Sequence, residues 1–487
     1  MRMKNYFYNA NIVLRVLSII LQVVSFGFIV CIVAAIILKE PIQPFVLSFM
    51  ITESICLIFR FISRKLNKGY KISRKDSYFI VSISWILVGL LGSLPYLFSH
   101  SIPDFTNALF ESISGFSTTG ASILQDIEVL PKSILFWRSL THWIGGFGII
   151  GLVIVVMPQI TSGGYKLFTM ESSLQEKFKP RTRSVGFRIL LIYLGLTALE
   201  ILFLILGGMS LFESVCHSFG TVATGGFSPK NSSIAEYSPY IQYVIMIFML
   251  FAGVNFAMYF YVLSGRVRKI IENEELQMYL LVVFISGLFI GLILYLKTDY
   301  NFEHSIRESF FQVISIITCT GFATADYLIW PAQLWILIFF LMFIGGCKGS
   351  TAGSIKISRH LVVFKYISAL FKQRLNPKSV FKISLNKKTL DEKLISHVLS
   401  FVVLYYIVFA FGVLILVFTG VDFQTSLGSV ATCMAGIGPG LGETGPVSNF
   451  SQLPIASKYV LGFLMILGRL ELFTVLILFT RSYRKKF

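Results

Sequence analysis

Charge is scarce in this chain. Only 14% of its 487 residues are Asp, Glu, Lys or Arg, while 55% are hydrophobic. A soluble domain of that size does not carry so much apolar surface, so the bilayer is the solvent. Cysteine is sparse too. Cys31, Cys56, Cys216, Cys319, Cys347 and Cys433 are scattered in apolar context without CxxC or CxH spacing. This argues against a metal site or disulfide framework and leaves packing roles. A Walker motif is lacking, so nucleotide control would have to come from a partner. No His, Asp or Glu cluster converges within the apolar runs, which argues against a membrane-embedded enzyme. The charge that exists is lopsided: 42 Lys and Arg against 24 Asp and Glu, a net +18. In a membrane protein that excess belongs to cytoplasmic loops and implies no nucleic acid.

Long apolar runs dominate what is present. The N-terminal run after Met1-Arg2-Met3-Lys4 reaches about Leu38. That is too long for a signal-peptide core and reads as a first transmembrane helix. The pattern predicts ten full spans, each near the ~20 residues a bilayer requires. Two come first, at 12–38 and 42–63. Four pairs follow: 77–99 with 133–158, 187–207 with 239–264, 276–296 with 333–358, and 395–419 with 455–480. Each pair flanks a segment too short to cross, at 104–117, 211–222, 305–318 and 424–434. The expected fold class is an all-α integral membrane protein. It comprises four pseudo-symmetric helix–pore loop–helix repeats and two N-terminal transmembrane helices. The units run 1–75 (the preface), 76–184, 185–270, 271–393 and 394–487.

Loop charge orients the chain. Arg64, Lys65, Lys68, Lys71, Arg74 and Lys75 follow the second span. Lys177, Lys179, Arg181 and Arg183 follow the fourth, Arg266, Arg268 and Lys269 the sixth, and the stretch Arg359 to Lys393 the eighth. The tail closes with Arg481, Arg484, Lys485 and Lys486. All share one side if both termini are cytoplasmic, as the positive-inside rule requires. Asp104, Asp126, Glu128, Glu236, Asp299, Glu303, Asp422 and Glu443 fall on the other side, where an acidic mouth would concentrate cations.

A short phrase of small residues follows each non-spanning segment. It reads Phe116-Ser117-Thr118-Thr119-Gly120, then Val222-Ala223-Thr224-Gly225-Gly226-Phe227, then Thr318-Cys319-Thr320-Gly321-Phe322. The last copy, Ala431-Thr432-Cys433 with Gly438-Pro439-Gly440, is the most divergent. The spacing is about 100 residues, that of a repeated membrane unit. A single Thr-Gly pair means nothing beyond a helix cap or packing glycine. Four in register suggest re-entrant loops around one axis. A dehydrated cation needs oxygen ligands, and backbone carbonyls supply them where glycine permits the turn.

Five further segments resemble the TrkH/KtrB/HKT superfamily of potassium transporters, and its TrkH branch most. They are Arg138-Ser139-Leu140-Thr141-His142-Trp143-Ile144-Gly145-Gly146, Ala252-Gly253-Val254-Asn255, Gly345-Gly346-Cys347-Lys348-Gly349-Ser350-Thr351-Ala352-Gly353, Gly438-Pro439-Gly440-Leu441-Gly442 and Gly468-Arg469-Leu470-Glu471. The resemblance implies a K⁺ filter built from Thr118, Thr119, Gly120, Ala223, Thr224, Gly225, Cys319, Thr320, Gly321, Ile437 and Gly438. Gly120, Gly225, Gly321 and Gly438 would be its glycines. In plant relatives a serine at the first of these goes with sodium, so Gly120 favours potassium. TrkH proteins often carry paired asparagines at the position of Ala435-Gly436, so the fourth loop departs from the pattern. The family implies a homodimer with one pore per protomer, and a cytosolic nucleotide-binding regulatory subunit of the TrkA type. K⁺ is the transported ion and no organic cofactor is implied.

Gly345, Gly346, Gly349 and Gly353 interrupt the eighth span, and glycines and hydroxyls are poor helix formers. Close helix packing is one reading; an intramembrane gating loop is the family's. Lys348 within it either snorkels to the inner interface or repels cations at a shut gate. Arg469, in the last span, is a pore-facing positive charge in the family reading and a buried ion pair in the other. Glu471 faces another side of that helix. His142 and Asn255 suit interhelical hydrogen bonds. On the cytosolic face Val380 to Leu385 alternates and Asn386 offers a turn, a weak hairpin signal; a basic loop resting on anionic membrane lipid is the alternative. Potassium uptake through one four-loop filter is the leading expectation. A sodium or mixed-cation protein of the same architecture, or a secondary solute transporter with inverted repeats, are the alternatives.

Overall fold

A computed structural model describes residues 10–65, 73–156, 182–379 and 382–484. Lys68, Lys71, Lys177, Lys179, Arg181, Val380, Phe381, Lys485 and Lys486 lie outside the described residues. The first two helices are α1 (Ala10–Leu38) and α2 (Gln43–Lys65). The first repeat has α3 (Arg74–Gly92), its short continuation α4 (Leu94–Phe98), the half-helix α5 (Phe105–Phe116) and α6 (Lys132–Val156). The second has α7 (Thr182–Leu206), the half-helix α8 (Leu211–Val222), α9 (Pro239–Ala252), α10 (Phe256–Leu263) and α11 (Arg268–Ile271). The third has α12 (Glu274–Lys297), the half-helix α13 (Phe302–Ile317), α14 (Ala332–Leu341) and α15 (Ile357–Leu375). A hairpin of β1 (Ser384–Leu385) and β2 (Lys388–Thr389) leads to the fourth, with α16 (Glu392–Phe418), the half-helix α17 (Phe423–Ala435), α18 (Ile455–Arg469), α19 (Leu472–Leu476) and α20 (Arg481–Arg484).

The solvent preference is inverted relative to a soluble protein. Phe26, Ile37, Leu57, Phe284, Leu292, Phe411 and Phe418 are exposed on the outside, whereas Ser112, Ser114, Thr118, Thr119, Thr141, Ser315 and Thr432 are buried. Lipid suits the former, while the hydroxyls of Ser112, Thr141 and Ser315 donate to backbone carbonyls within the protein. Each half-helix packs between the outer helices of its own repeat: α5 on α3 and α6, α8 on α7 and α9, α13 on α12 and α14, α17 on α16 and α18. Packing of α6 on α8, α9 on α13 and α18 on α5 links successive repeats, and the last of these joins the fourth repeat back to the first. The preface docks on the first repeat, where Phe28 packs on Trp137 with ring centroids 4.7 Å apart.

Three expected spans are not straight helices. Among the described residues six helices are long and apolar enough to cross a bilayer, or up to eight if each bent pair is one span. The segment 239–264 bends by 98° between α9 and α10. Gly253 ends α9, and the Asn255 side chain caps α10 by accepting from the Ala257 N–H at 2.9 Å. The segment 455–480 bends by 113°, with Glu471 in the left-handed region at φ 56°. The segment 333–358 is helical only to Leu341, and irregular backbone runs to Lys356. Hydropathy does not show the bends at Gly253 and Glu471, whereas the third break falls where the glycines from Gly345 to Gly353 predict it. The hairpin expectation holds: Ser384 pairs with Thr389 and Leu385 with Lys388, around left-handed Asn386 and Lys387.

Close helix contact rests on small residues. A Cβ on Gly92 would overlap the Phe116 ring and the Ser112 hydroxyl, whereas one on Gly195 meets open space. Gly92→Leu is therefore expected to lower the thermal unfolding midpoint in detergent, by overpacking worth about 1–3 kcal/mol or more. Gly195→Ala should leave the midpoint unchanged or raise it by the equivalent of about 0.5–1 kcal/mol.

Candidate functional site: a ring of four re-entrant loops

The four half-helices begin alike. Asp104, Ser210, Asn301 and Asp422 are their N-caps, each accepting from the N–H three residues on, that of Asn107, Glu213, His304 and Thr425. They also end alike. The Thr119 N–H donates to Ser114 C=O, Gly225 to Gly220, Thr320 to Ser315 and Ile437 to Thr432. These six-residue closures are the mark of a Schellman cap, which needs one left-handed residue. That residue is Thr118 (φ 54°), Thr224 (φ 54°), Cys319 (φ 57°) and Gly436 (φ 73°). Three of the four are not glycine, so the turn is strained there and held by its surroundings. Gly436 in the divergent fourth loop occupies the same turn without that strain.

Two residues further on, each loop has a second positive φ: Gly120 (79°), Gly226 (77°), Gly321 (83°) and Gly438 (103°). The equivalent glycine of the second loop is therefore Gly226, not Gly225. Gly225 occupies the middle position with Thr119, Thr320 and Ile437. The signal was in the sequence, because Gly226-Phe227 matches Gly321-Phe322. Ala223 is likewise the C-cap of its half-helix, in register with Ser117, Thr318 and Ala435.

These glycines close a ring. A Cβ on Gly120 would strike the Gly225 carbonyl, one on Gly226 the Thr320 carbonyl, and one on Gly321 the Ile437 carbonyl. One on Gly438 would lie 2.9 Å from the Thr119 carbonyl. Each middle-residue carbonyl thus lies against the glycine of the loop before it, in the order one, two, three, four and back to one. Any side chain at these glycines would push a neighbouring carbonyl aside.

A buried polar side chain nine residues before each ring glycine steadies the chain that climbs away from it. Sequence reasoning missed this position, which becomes visible only once the register is set on Gly226. Glu111 accepts from the Ser122 hydroxyl at 3.0 Å and the Ile123 N–H at 3.0 Å. His217 Nε2 bonds the Ser228 hydroxyl at 3.0 Å. Gln312, with its amide oxygen assigned toward the loop, accepts from the Thr324 and Ala325 N–H groups at 3.0 and 3.2 Å. Ser429 bonds Thr444 at 2.9 Å. Paired hydroxyls brace loops one and three: Ser117 with Thr119, and Thr318 with Thr320, each at 2.7 Å. Between loops one and two, Arg138 donates to Glu111 at 2.6 Å and to the Ser228 carbonyl at 2.9 Å, and its guanidinium covers the Phe227 ring at 3.6 Å. His142 bonds the Gly115 carbonyl at 2.7 Å and stacks on Phe227.

The irregular segment from Phe343 to Lys356 lies at the C-terminal ends of the half-helices. The Thr351 hydroxyl donates to the Val222 carbonyl at 3.1 Å, and a Cβ on Gly353 would strike the Ala435 carbonyl. The segment therefore reaches both the second and the fourth loops, which face each other across the ring. Gly345 and Gly349 have positive φ, and a Cβ on Gly346 would sit 2.9 Å from the Gly253 carbonyl. The Cys347 N–H donates to Gly253 C=O and the Phe256 N–H to Gly349 C=O, which ties the segment to the bend before α10.

Arg469 holds the segment from the other side. It donates to the carbonyls of Thr351 at 2.8 Å and Gly145 at 3.0 Å, an arrangement of carbonyl bonds and not an ion pair. Glu471 instead pairs with Arg359 at 2.7 Å. The Lys348 side chain is half-buried, and its N–H donates to buried Glu275 at 2.5 Å. Lys356, unforeseen from the sequence, donates back to the Ala352 carbonyl.

The acidic residues expected to form an outer mouth are partly committed. Asp104 and Asp422 serve as caps, Glu303 pairs with Arg307, and Glu128 with Lys230. A GxGxxG string does occur, at Gly440-Leu441-Gly442-Glu443-Thr444-Gly445, but it wraps a 3₁₀ turn instead of joining a strand to a helix. It lacks the context of a dinucleotide fingerprint.

The Arg138–Glu111 pair is buried, so removing one partner strands a charge. Arg138→Ala is expected to cost about 3–5 kcal/mol, read as a large drop in thermal unfolding midpoint. Lys230→Ala, which breaks an exposed pair, should cost about 0–1 kcal/mol. Equal midpoints for the two variants would show that the clamp does not hold the loops.

Comparison with known proteins agrees with this architecture. The TrkH family model, described as cation transport protein, matches residues 41–486. The chain is 36% identical over 449 residues to the Trk system potassium uptake protein TrkH of Escherichia coli strain K12, covering 91% of this chain and 92% of that one. It is 33% identical over 477 residues to the Trk system potassium uptake protein TrkI of Halomonas elongata, covering 97% and 96%. The crystal structure of the potassium transporter TrkH from Vibrio parahaemolyticus superposes with a TM-score of 0.89 at 29% identity, over 98% of this chain and all of that one. With the family matched over nearly the whole chain and four re-entrant loops closed into one ring, this is an all-α membrane protein of the TrkH cation transport family.

Proposed function

We propose that this chain takes up potassium across the cytoplasmic membrane through the single ring of loops. The observation that carries the reading is the cyclic contact of each ring glycine with its neighbour's carbonyl. In this reading the carbonyls of Thr119, Gly225, Thr320 and Ile437 are the oxygen ligands for a dehydrated cation, and the equivalence of their contacts supports it. The half-helices add their partially negative C-terminal ends to the same place. Glycine stands at all four ring positions, Gly120 included. The relatives' names as potassium uptake proteins support K⁺ as the ion. The four repeats share one orientation in loop charge, as an axial pore needs and an inverted-repeat carrier does not. The chain works by transport and not by catalysis.

The glycine-rich segment with Lys348 and Arg469 is the gate in this reading. It reaches two facing loops at the inner end of the ring, and Arg469 ties it there through Thr351. Their charges raise the barrier for a cation that passes. The other parts of the reading come from the family. A second copy completes a homodimer, both termini are cytoplasmic, and a TrkA-type nucleotide-binding subunit docks on the basic inner face near the hairpin.

Rubidium uptake into proteoliposomes tests the selectivity. External K⁺ should suppress uptake, while the same concentration of Na⁺ should not; equal suppression would overturn the potassium assignment. For the gate, Arg469→Ala removes a full charge and the hydrogen bonds to Thr351 of the segment and Gly145 of α6. Basal flux should rise on the order of tenfold, since a unit charge about 10 Å away is worth about 1.7 kcal/mol at an effective dielectric of 20. Lys348→Ala should raise it by a smaller factor. Unchanged flux in both variants would remove this segment from the gate.

A further inference from the structure

The third half-helix begins in a charged cluster that has no part in the ring or the gate. His304 is the third residue of α13, at the opposite end of that half-helix from the glycine-rich segment. Its side chain is 37% exposed, so water reaches it. Its Nδ1 lies 3.2 Å from Arg307 Nη2. A guanidinium only donates, so Nδ1 is the bare nitrogen and the neutral ring carries its proton on Nε2. That Nε2 lies 3.9 Å from the Glu308 carboxylate. The ring also packs on Tyr300, with centroids 4.3 Å apart.

With a neutral ring the cluster is negative. Arg307 Nε donates to Glu303 at 2.8 Å, and Arg307 Nη1 lies 4.0 Å from Glu308. Two carboxylates against one guanidinium leave a net −1. Both ends are anchored: Arg307 also donates to the Gln242 amide oxygen of α9, and Glu308 accepts from the Thr324 hydroxyl of the chain that climbs away from the third ring glycine. Helix α13 packs on α9, α12 and α14. From α9 come Tyr240 and Tyr243, the latter donating to Glu303 at 3.0 Å. The outer end of α12 and the turn after it bring Tyr295, Lys297 and Asp299, the last two opposite in charge. Helix α14 carries no titratable side chain. The climbing chain brings Tyr327 and Asp326, the latter accepting from the Leu328 N–H at 3.0 Å.

We propose, on the uptake reading, that His304 is an extracellular proton site that sets how strongly the outer mouth attracts cations. Histidine is the side chain that changes charge between about pH 5 and 8. A proton taken up at Nδ1 turns that nitrogen into a second donor facing Arg307. The Arg307–His304 bond is then lost, and Glu308 holds the imidazolium. Arg307 keeps Glu303 and Gln242. The cluster passes from −1 to neutral, so the mouth concentrates fewer cations in mild acid and recovers them in neutral medium.

Two measurements test this. The first, imidazole nitrogen NMR of the purified protein, does not depend on transport. The resonances lost in His304→Gln should report a bare Nδ1 in alkaline medium and two protonated nitrogens at about pH 5. A proton on Nδ1 of the neutral ring, or a ring that stays neutral at about pH 5, overturns the proposal. The second is rubidium uptake into right-side-out membrane vesicles. A unit charge about 10 Å from the path, in water, changes the local cation concentration about twofold. The KM should therefore rise about twofold as the outer medium goes from about pH 8 to about pH 5, with the maximal rate unchanged. High choline chloride should suppress the rise, because screening acts on a field and not on a fold. His304→Gln should keep the low KM at both pH values, and His304→Lys should show the high KM at both. A rise in His304→Gln equal to that of the wild type overturns the proposal. Wild-type flux that is present but flat across this range overturns the proposal alone; flux absent at every pH overturns the uptake reading as well.

Discussion

One contact governs the rest of this structure: a peptide carbonyl resting directly on the glycine of the next loop. It occurs four times around a closed circle, and no residue with a Cβ can stand at any of the four positions without displacing an oxygen. The half-helices exist to deliver those carbonyls. Their N-caps start them at one end, and their left-handed ends turn the backbone toward the axis. Three of those turns use Thr or Cys where glycine is the usual solution, so local preference alone would not hold them. Contacts from outside the loops must do so.

Those contacts explain why so much polarity is buried in an otherwise apolar protein. Glu111, His217, Gln312 and Ser429 reach from the half-helices to the ascending chain, and Arg138 ties two loops together through a carboxylate, a carbonyl and an aromatic face. Each of these side chains is hydrogen-bonded, as most buried polar groups are. The glycines of α6 serve the same end. A Cβ on Gly145 would strike the Phe116 carbonyl and one on Gly146 would crowd Ala223, so α6 can lie against the ends of two half-helices at once. The glycine-rich segment then bonds the Val222 carbonyl and lies close against that of Ala435, and Arg469 joins it to α6. The loop supports and the glycine-rich segment thus meet at the same helix ends.

Much of this was legible in the sequence. Hydropathy located the half-helices, because a run too short to cross a bilayer stands out between runs that can. Loop charge set their common orientation. The misread register of the second loop came from matching Thr224-Gly225 to Thr119-Gly120, when the glycine that follows carries the positive φ. The bends at Gly253 and Glu471 were hidden, since an apolar chain stays apolar while it turns and only a long-range partner decides where. The same limit applies to Arg469. Its charge was visible, but its carbonyl partners Thr351 and Gly145 lie more than a hundred residues away in sequence. Nothing in the sequence singles out Glu275 or Lys356; only the fold sets them beside or within the glycine-rich segment.

The central claim is that cations pass along the axis of this ring and are held there by its carbonyls. Anomalous diffraction from crystals grown in rubidium tests it most directly. The account predicts rubidium peaks on the ring axis, within coordination distance of the carbonyl oxygens of Thr119, Gly225, Thr320 and Ile437. Ordered rubidium found only elsewhere in the protein, with the ring axis empty, would contradict it.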